Sequence, residues 1–210
     1  MSIVVIVKKH GKAVIAADTL YSFGATKVSP TYLDKPNKIH QFKNSYIGVV
    51  GAAAHEPVFE HLIANYGDKF SFNSKSEIFD SYLKMHPILR DEYFINDTEE
   101  GDDNDYKTSQ INGLIANEYG IFGMYSWREV YEFDKFWALG SGMDFALGAM
   151  FANYDSIDDA LAIAEIAVKA ACEFDDGCGL PMTSHIIELS EIEYQAVPSQ
   201  RKNRKGIKRN

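Results

Sequence analysis

Ser2 follows Met1, and a small second residue allows methionine aminopeptidase to remove the methionine. The new chain end would then carry a hydroxyl and an α-amine on one residue. An α-amine has a pKa of ~7.7–8, so a useful fraction is neutral at pH 7 and able to accept a proton. Such an amine is one of the ways in which a hydroxyl nucleophile is activated. Asp18 ends the apolar run Ala13-Val14-Ile15-Ala16-Ala17, where a carboxylate is costly unless it is paired. Lys38, in Asn37-Lys38-Ile39-His40, is its natural partner. Two readings stay open for these residues. They form an ordinary ion pair, or Lys38 steadies an alkoxide and keeps a neighbouring amine from protonating.

The elements around these residues bring them together. Residues 3–7 and 13–17 read as strands, and Lys9-His10-Gly11-Lys12 as the tight turn between them. With His10 and Gly11 as central residues, facing positions sum to 21, so position 2 lies opposite position 19 and beside Asp18. Both runs are continuously apolar, as expected of strands buried on two faces. Further strands are expected over 38–42 and 46–50. A helix over 57–66 follows, with Pro57 in its first turn and Gly67 closing it. A second helix opens with the capping box Ser74-Lys75-Ser76-Glu77 and is expected to end at Pro87.

After an acidic stretch (91–105), period two returns over 111–116, 121–125 and 130–133. Helices are expected over 143–152 and 157–174, the latter with a capping box from Ser156 to Asp159. Strands 184–189 and 191–197 close the chain. Strands grouped in hairpins predict largely antiparallel sheets. The order implies an α+β domain of two facing sheets, each covered outside by a helix pair.

The chain has 210 residues, 46% hydrophobic and 24% charged, which is enough for one domain with its own core. We place that domain at 1–198 and a basic, disordered tail at 199–210. No apolar run approaches the ~20 residues of a membrane span, and the apolar start is too short for a secretory signal. Two cysteines, Cys172 and Cys178, provide neither a disulfide framework nor a metal site by themselves. A cytoplasmic location is expected. The net charge of −9 argues against whole-surface binding of nucleic acid. The tail, QRKNRKGIKRN, is suited to docking on an acidic partner.

Phosphate loops of the G-x-x-x-x-G-K-[ST] and G-x-G-x-x-G types are absent. His55-Glu56 fails as a zinc-protease motif because position 59 is Phe59. Leu139-Gly140-Ser141-Gly142 lacks the frame of a nucleophile elbow.

Taken in order, the segments resemble the proteasome β-subunit family of N-terminal nucleophile hydrolases, including its HslV-like members. S-I-V-V-I-V-K-K-H-G-K-A-V-I-A-A-D resembles the family's nucleophile strand, glycine turn and A-A-D strand, with Ser2 at the nucleophile position and Asp18 at the catalytic Asp. Lys38 in N-K-I-H-Q-F falls on the catalytic Lys, and Gly51 in V-V-G-A-A-A on the oxyanion-hole glycine. Ser141 in L-G-S-G and Asp175 in F-D-D-G-C-G fall on the supporting Ser and Asp.

The resemblance implies a four-layer αββα sandwich and rings of six or seven subunits, usually stacked. It implies unfolded polypeptide substrates delivered by an ATP-driven unfoldase, and no cofactor or metal. It also implies that Tyr21, Val49 and Ala53 line a side-chain pocket and that Ser22 binds substrate backbone. The chain departs from the pattern at several places. Ser2 stands for the usual Thr, Cys178 for the Ser of D-x-x-S-G, and Leu20 for a basic residue. The stretch 27–36 is longer than in HslV-like chains. Those departures also fit a ring-forming scaffold without activity. A small-amide amidohydrolase is a third reading, and a closed apolar pocket would favour it.

Overall fold

The computed structural model describes residues 2–97 and 107–190. The strand expected at 191–197, the basic tail and positions 98–105 of the acidic stretch lie outside the described residues. The chain opens with β1 (Ile3–Lys9) and β2 (Lys12–Asp18), then a short hairpin of β3 (Tyr21–Phe23) and β4 (Thr26–Val28). Strands β5 (Ile39–Phe42) and β6 (Ser45–Val50) lead into helices α1 (His55–Tyr66) and α2 (Lys75–Asp91). Four strands follow: β7 (Asn112–Asn117), β8 (Gly120–Met124), β9 (Val130–Phe133) and β10 (Phe136–Gly140). Helices α3 (Met143–Asn153) and α4 (Ala160–Phe174) and strand β11 (Met182–Glu188) complete the described fold.

The two main sheets are antiparallel, ordered β10-β1-β2-β11 and β5-β6-β7-β8-β9. Alternation along β1 builds two interfaces at once. Ile3, Val5 and Val7 pack with Val14 and Ala16 under α3 and α4. Val4 and Ile6 turn the other way and meet Leu114, Ala116 and Ile121 of the facing sheet. That sheet's outer face, including Ile47, Ile115 and Phe122, is covered by Phe59 and Leu62 of α1 and Ile78, Tyr82, Met85 and Leu89 of α2. The result is the αββα sandwich expected from the element order. On α4 the buried stripe is Ala160, Ile163, Ala164, Ala167, Val168 and Ala171, a helical spacing whose alanines permit a close approach to the sheet.

The β1–β2 register has the expected sum, from Val4↔Ala17 to Lys9↔Lys12. His10 and Gly11 both have positive φ (48° and 75°), which suits a two-residue hairpin. Three local readings are corrected. α2 runs through Pro87 to Asp91 instead of ending there. Pro87 and Leu83, whose carbonyl loses its N–H partner, are both exposed, which lowers the cost of the missing bond, while buried Leu89 holds the last turn. α4 starts at Ala160, where Asp159 caps it by accepting the Leu161 N–H (3.1 Å); Ser156 instead bonds back to the Asn153 carbonyl. Finally, the sequence did not reveal β3, β4 or β10.

Candidate active site

Asp18 is fully buried at the end of β2 and collects four hydrogen bonds. Its Oδ1 accepts from the Ile3 N–H (3.0 Å) and from Lys38 Nζ (2.7 Å). Its Oδ2 accepts from the N–H groups of Leu20 (3.2 Å) and Gly179 (3.1 Å). One carboxylate therefore ties together β1, the lysine segment, the chain just after its own strand and the loop after α4. Lys38 enters from the residue before β5, has a side chain only 5% exposed, and donates a second hydrogen bond to the Leu20 carbonyl (2.6 Å). Its ammonium also lies 5.2 Å from the centroid of the Tyr21 ring.

Ser141 reaches the chain start because β10 pairs with β1 as far as Gly140↔Ile3. Gly140 has a φ of 121°, and a Cβ there would run into the Ser2 carbonyl oxygen, so only glycine permits this approach. The next residue then places Ser141 Oγ at hydrogen-bond distance from Ser2 N (3.3 Å), with Ser2 O at 3.4 Å. Cys178 is buried close to Ser141 and Gly142. Burial, followed by the charges of Asp18 and Asp175, pushes its thiol up to about 12, against a hydrogen bond from Ser141 that works the other way. It stays a neutral thiol where the family pattern has a hydroxyl.

Asp175 caps the C-terminus of α4, and its carboxylate accepts the Gly177 N–H (2.6 Å). It shapes the loop that delivers Cys178 and Gly179.

A cleft of about 190 Å³ brings together Ser2, Tyr21, Ser22, Lys38, Val49, Gly51 and Ala53, all anticipated from the sequence, with Val50, Ala52 and Glu56. Gly51 follows β6 with a φ of 134°, and a Cβ there would lie 2.9 Å from His55 Nδ1. The backbone at that point is thus reserved for glycine.

Glu56, which lines the cleft, and Gly179, whose N–H is held by Asp18, join the candidate site without a local signal in the sequence. The Tyr21 hydroxyl donates to both oxygens of Glu56, each at 2.6 Å, and burial followed by Glu56 pushes the phenol far above its ordinary range. Glu56 also borders a second cavity of about 610 Å³, which reaches His40 and Glu60 and is walled by parts of the long 27–36 stretch, including Val28, Leu33 and Pro36. Glu56 sits in a short exposed-looking sequence, His55-Glu56-Pro57, and only its helical position four residues before Glu60 hinted at a shared face.

No protein-family model matches the chain, and no curated protein does. Solved structures do match. Thiobacillus denitrificans BPH in complex with epoxomicin is 38% identical, with a TM-score of 0.82 over 90% of this chain and 99% of that one. A second structure of T. denitrificans BPH, also 38% identical, gives a TM-score of 0.84 over 90% of this chain and 100% of that one. The chain belongs to the proteasome β-subunit/HslV-like family of N-terminal nucleophile hydrolases. Eukaryotic HslV from Trypanosoma brucei, 17% identical with a TM-score of 0.66 over 89% of this chain and 99% of that one, shares the fold. Membership makes this a chain of a peptidase family. No described helix is long and apolar enough to cross a membrane.

Proposed function

We propose that this chain is a proteasome-like peptidase subunit that hydrolyses peptide bonds of unfolded polypeptides with Ser2, exposed by removal of Met1. The observation that carries the reading is the buried Lys38 ammonium, held at 2.7 Å by Asp18 and opening onto the same cleft as Ser2.

The Ser2 amine, directly or through a water, takes the proton of Ser2 Oγ as the oxygen attacks a peptide carbonyl. Lys38 keeps positive charge beside the reacting oxygen, which stabilises the alkoxide and disfavours protonation of the amine. Asp18 orients Lys38. The Gly51 N–H receives the oxyanion, an interaction worth ~3–4 kcal/mol in comparable sites. Ser141 steadies the amine nitrogen, with Asp175 supporting from the loop after α4. The leaving amine takes up a proton, and water then hydrolyses the Ser2 ester.

Val49, Ala53 and Tyr21 form the side-chain pocket and Ser22 holds substrate backbone. The subunits act as a homo-oligomeric ring of six or seven copies, stacked in pairs and fed by an ATP-driven unfoldase, in the cytoplasm, with the basic tail docking on an acidic partner. Polar side chains of Ser2, Tyr21, Ser22, Lys38 and Glu56 in the cleft support a peptide substrate over the closed apolar pocket of an amidohydrolase.

Intact-mass analysis after incubation with epoxomicin, the ligand of the T. denitrificans relative, tests the reading. The expected product is a chain lacking Met1 with one inhibitor on the peptide that begins at Ser2, and Ser2→Ala abolishes it. Retention of Met1 in a folded, assembled protein leaves no amine to act as base. That outcome would establish the inactive ring scaffold instead.

A further inference from the structure

Outside the hydrolytic machinery, one group among the described residues gathers three metal-capable side chains: His40, Glu56 and Glu60. One ligand atom from each lies within 4.8 Å of the others. Glu56 and Glu60 are one helical turn apart on α1, so both carboxylates project from the same face. His40, from β5, faces them across the 610 Å³ cavity that all three line.

His40 is the informative member. It is only 8% exposed, and its Nε2 is buried without a hydrogen-bond partner. The nitrogen turned toward the carboxylates is Nδ1, so Nδ1 is the ligand atom and Nε2 faces away from the ion. His40 Nδ1 lies 3.3 Å from Glu60 Oε1. A tetrahedral ion with bonds of ~2.1 Å separates its ligand atoms by roughly 3.4 Å, so this pair is already at a ligating separation. Glu56 offers the third ligand atom, an oxygen within 4.8 Å of the other two. Its hydrogen bonds from the Tyr21 hydroxyl supply the outer support that orients metal-binding carboxylates.

From this geometry we propose that His40, Glu56 and Glu60 bind a divalent transition metal of the zinc class, with water in the fourth position. An imidazole beside two carboxylates selects zinc over magnesium or calcium, which take oxygen sets. The sequence reading anticipated no metal, because H-E-x-x-H fails at Phe59 and β5 is distant in the chain. The site adjoins the peptidase cleft and shares Glu56 with it, so the test counts bound metal and does not depend on hydrolysis.

Equilibrium dialysis of the full chain against Zn²⁺, with the metal counted by mass spectrometry, tests it. One zinc per chain is expected. Glu60→Gln and His40→Asn should abolish stoichiometric binding, Tyr21→Phe should weaken it about tenfold, and His61→Ala should leave it unchanged. Circular dichroism checks folding. Because Glu60 is exposed, Glu60→Gln decides alone if His40→Asn does not fold. Cobalt substitution gives a second readout, and a spectrum without a thiolate-to-metal band is expected. No stoichiometric binding, binding retained in folded Glu60→Gln, or a thiolate band pointing to Cys172 or Cys178 would overturn the assignment.

Discussion

Lys38 holds two jobs that mutation can separate. It neutralises a carboxylate that is fully buried, and it charges the wall of the cleft. Removing one partner of a buried ion pair typically costs ~3–5 kcal/mol because the other charge is left stranded. Three backbone N–H groups still serve Asp18 when Lys38 is gone, so Lys38→Ala should sit at the low end, about 3 kcal/mol, in urea unfolding. Labelling of Ser2 should fall further than stability explains, by ~10²-fold or more under conditions where the variant is fully folded. Equal labelling rates in folded variant and parent would leave Lys38 a structural ion pair and remove the mechanism. Much at this scale was legible in the sequence. A carboxylate closing an apolar strand demands a partner, and the turn at His10-Gly11 fixes which residues neighbour it. Glu56, His40 and Gly179 were not legible, since each acts through contacts with residues distant in the chain and none stands out locally.

At the scale of elements, β10 is the strand on which the site depends most and the one its residues disguise best. Phe136-Trp137-Ala138-Leu139-Gly140 is a half-buried edge strand, and it follows the charged pair Asp134-Lys135. Its period is blurred, and a glycine at its end reads as a loop. The helix boundaries failed for related reasons. Ser156 and Asp159 are both good caps, and tertiary packing chose the second; at Pro87, solvent exposure lowered the usual penalty. Gly140→Ala tests the role of β10. A methyl group there meets the Ser2 carbonyl and must push β10 from β1. We expect a loss of about 1–3 kcal/mol in chemical unfolding, the range of overpacking and strain. A larger proportional loss of epoxomicin labelling should accompany it, because Ser141 no longer meets Ser2 N. Unchanged labelling would show that Ser141 is dispensable.

For the whole molecule, the sandwich was readable because its period-two strands and period-3.6 helices alternate in blocks, and blocks of that kind allow few arrangements. Surface aromatics carry no periodic signature, so the expectation of a ring came from the family resemblance and not from sequence pattern. Several large side chains remain outside the core of a single chain, among them Phe151 at 82% and Phe174 at 69% exposed. Exposed aromatics in that number suit contacts between copies. Native mass spectrometry should therefore give a closed multiple of six or seven chains, persisting on dilution. A monomer at micromolar concentration would contradict the ring.

Asp18 fastens four separate stretches of backbone and side chain with one carboxylate. Under the proposed mechanism, a descendant without hydrolysis would still need that fastening to stay folded, so Asp18 and Lys38 would persist after the proposed chemistry was lost. On that reading, loss of activity should surface first at the hydroxyls of Ser2 and Ser141, which carry no comparable share of the fold.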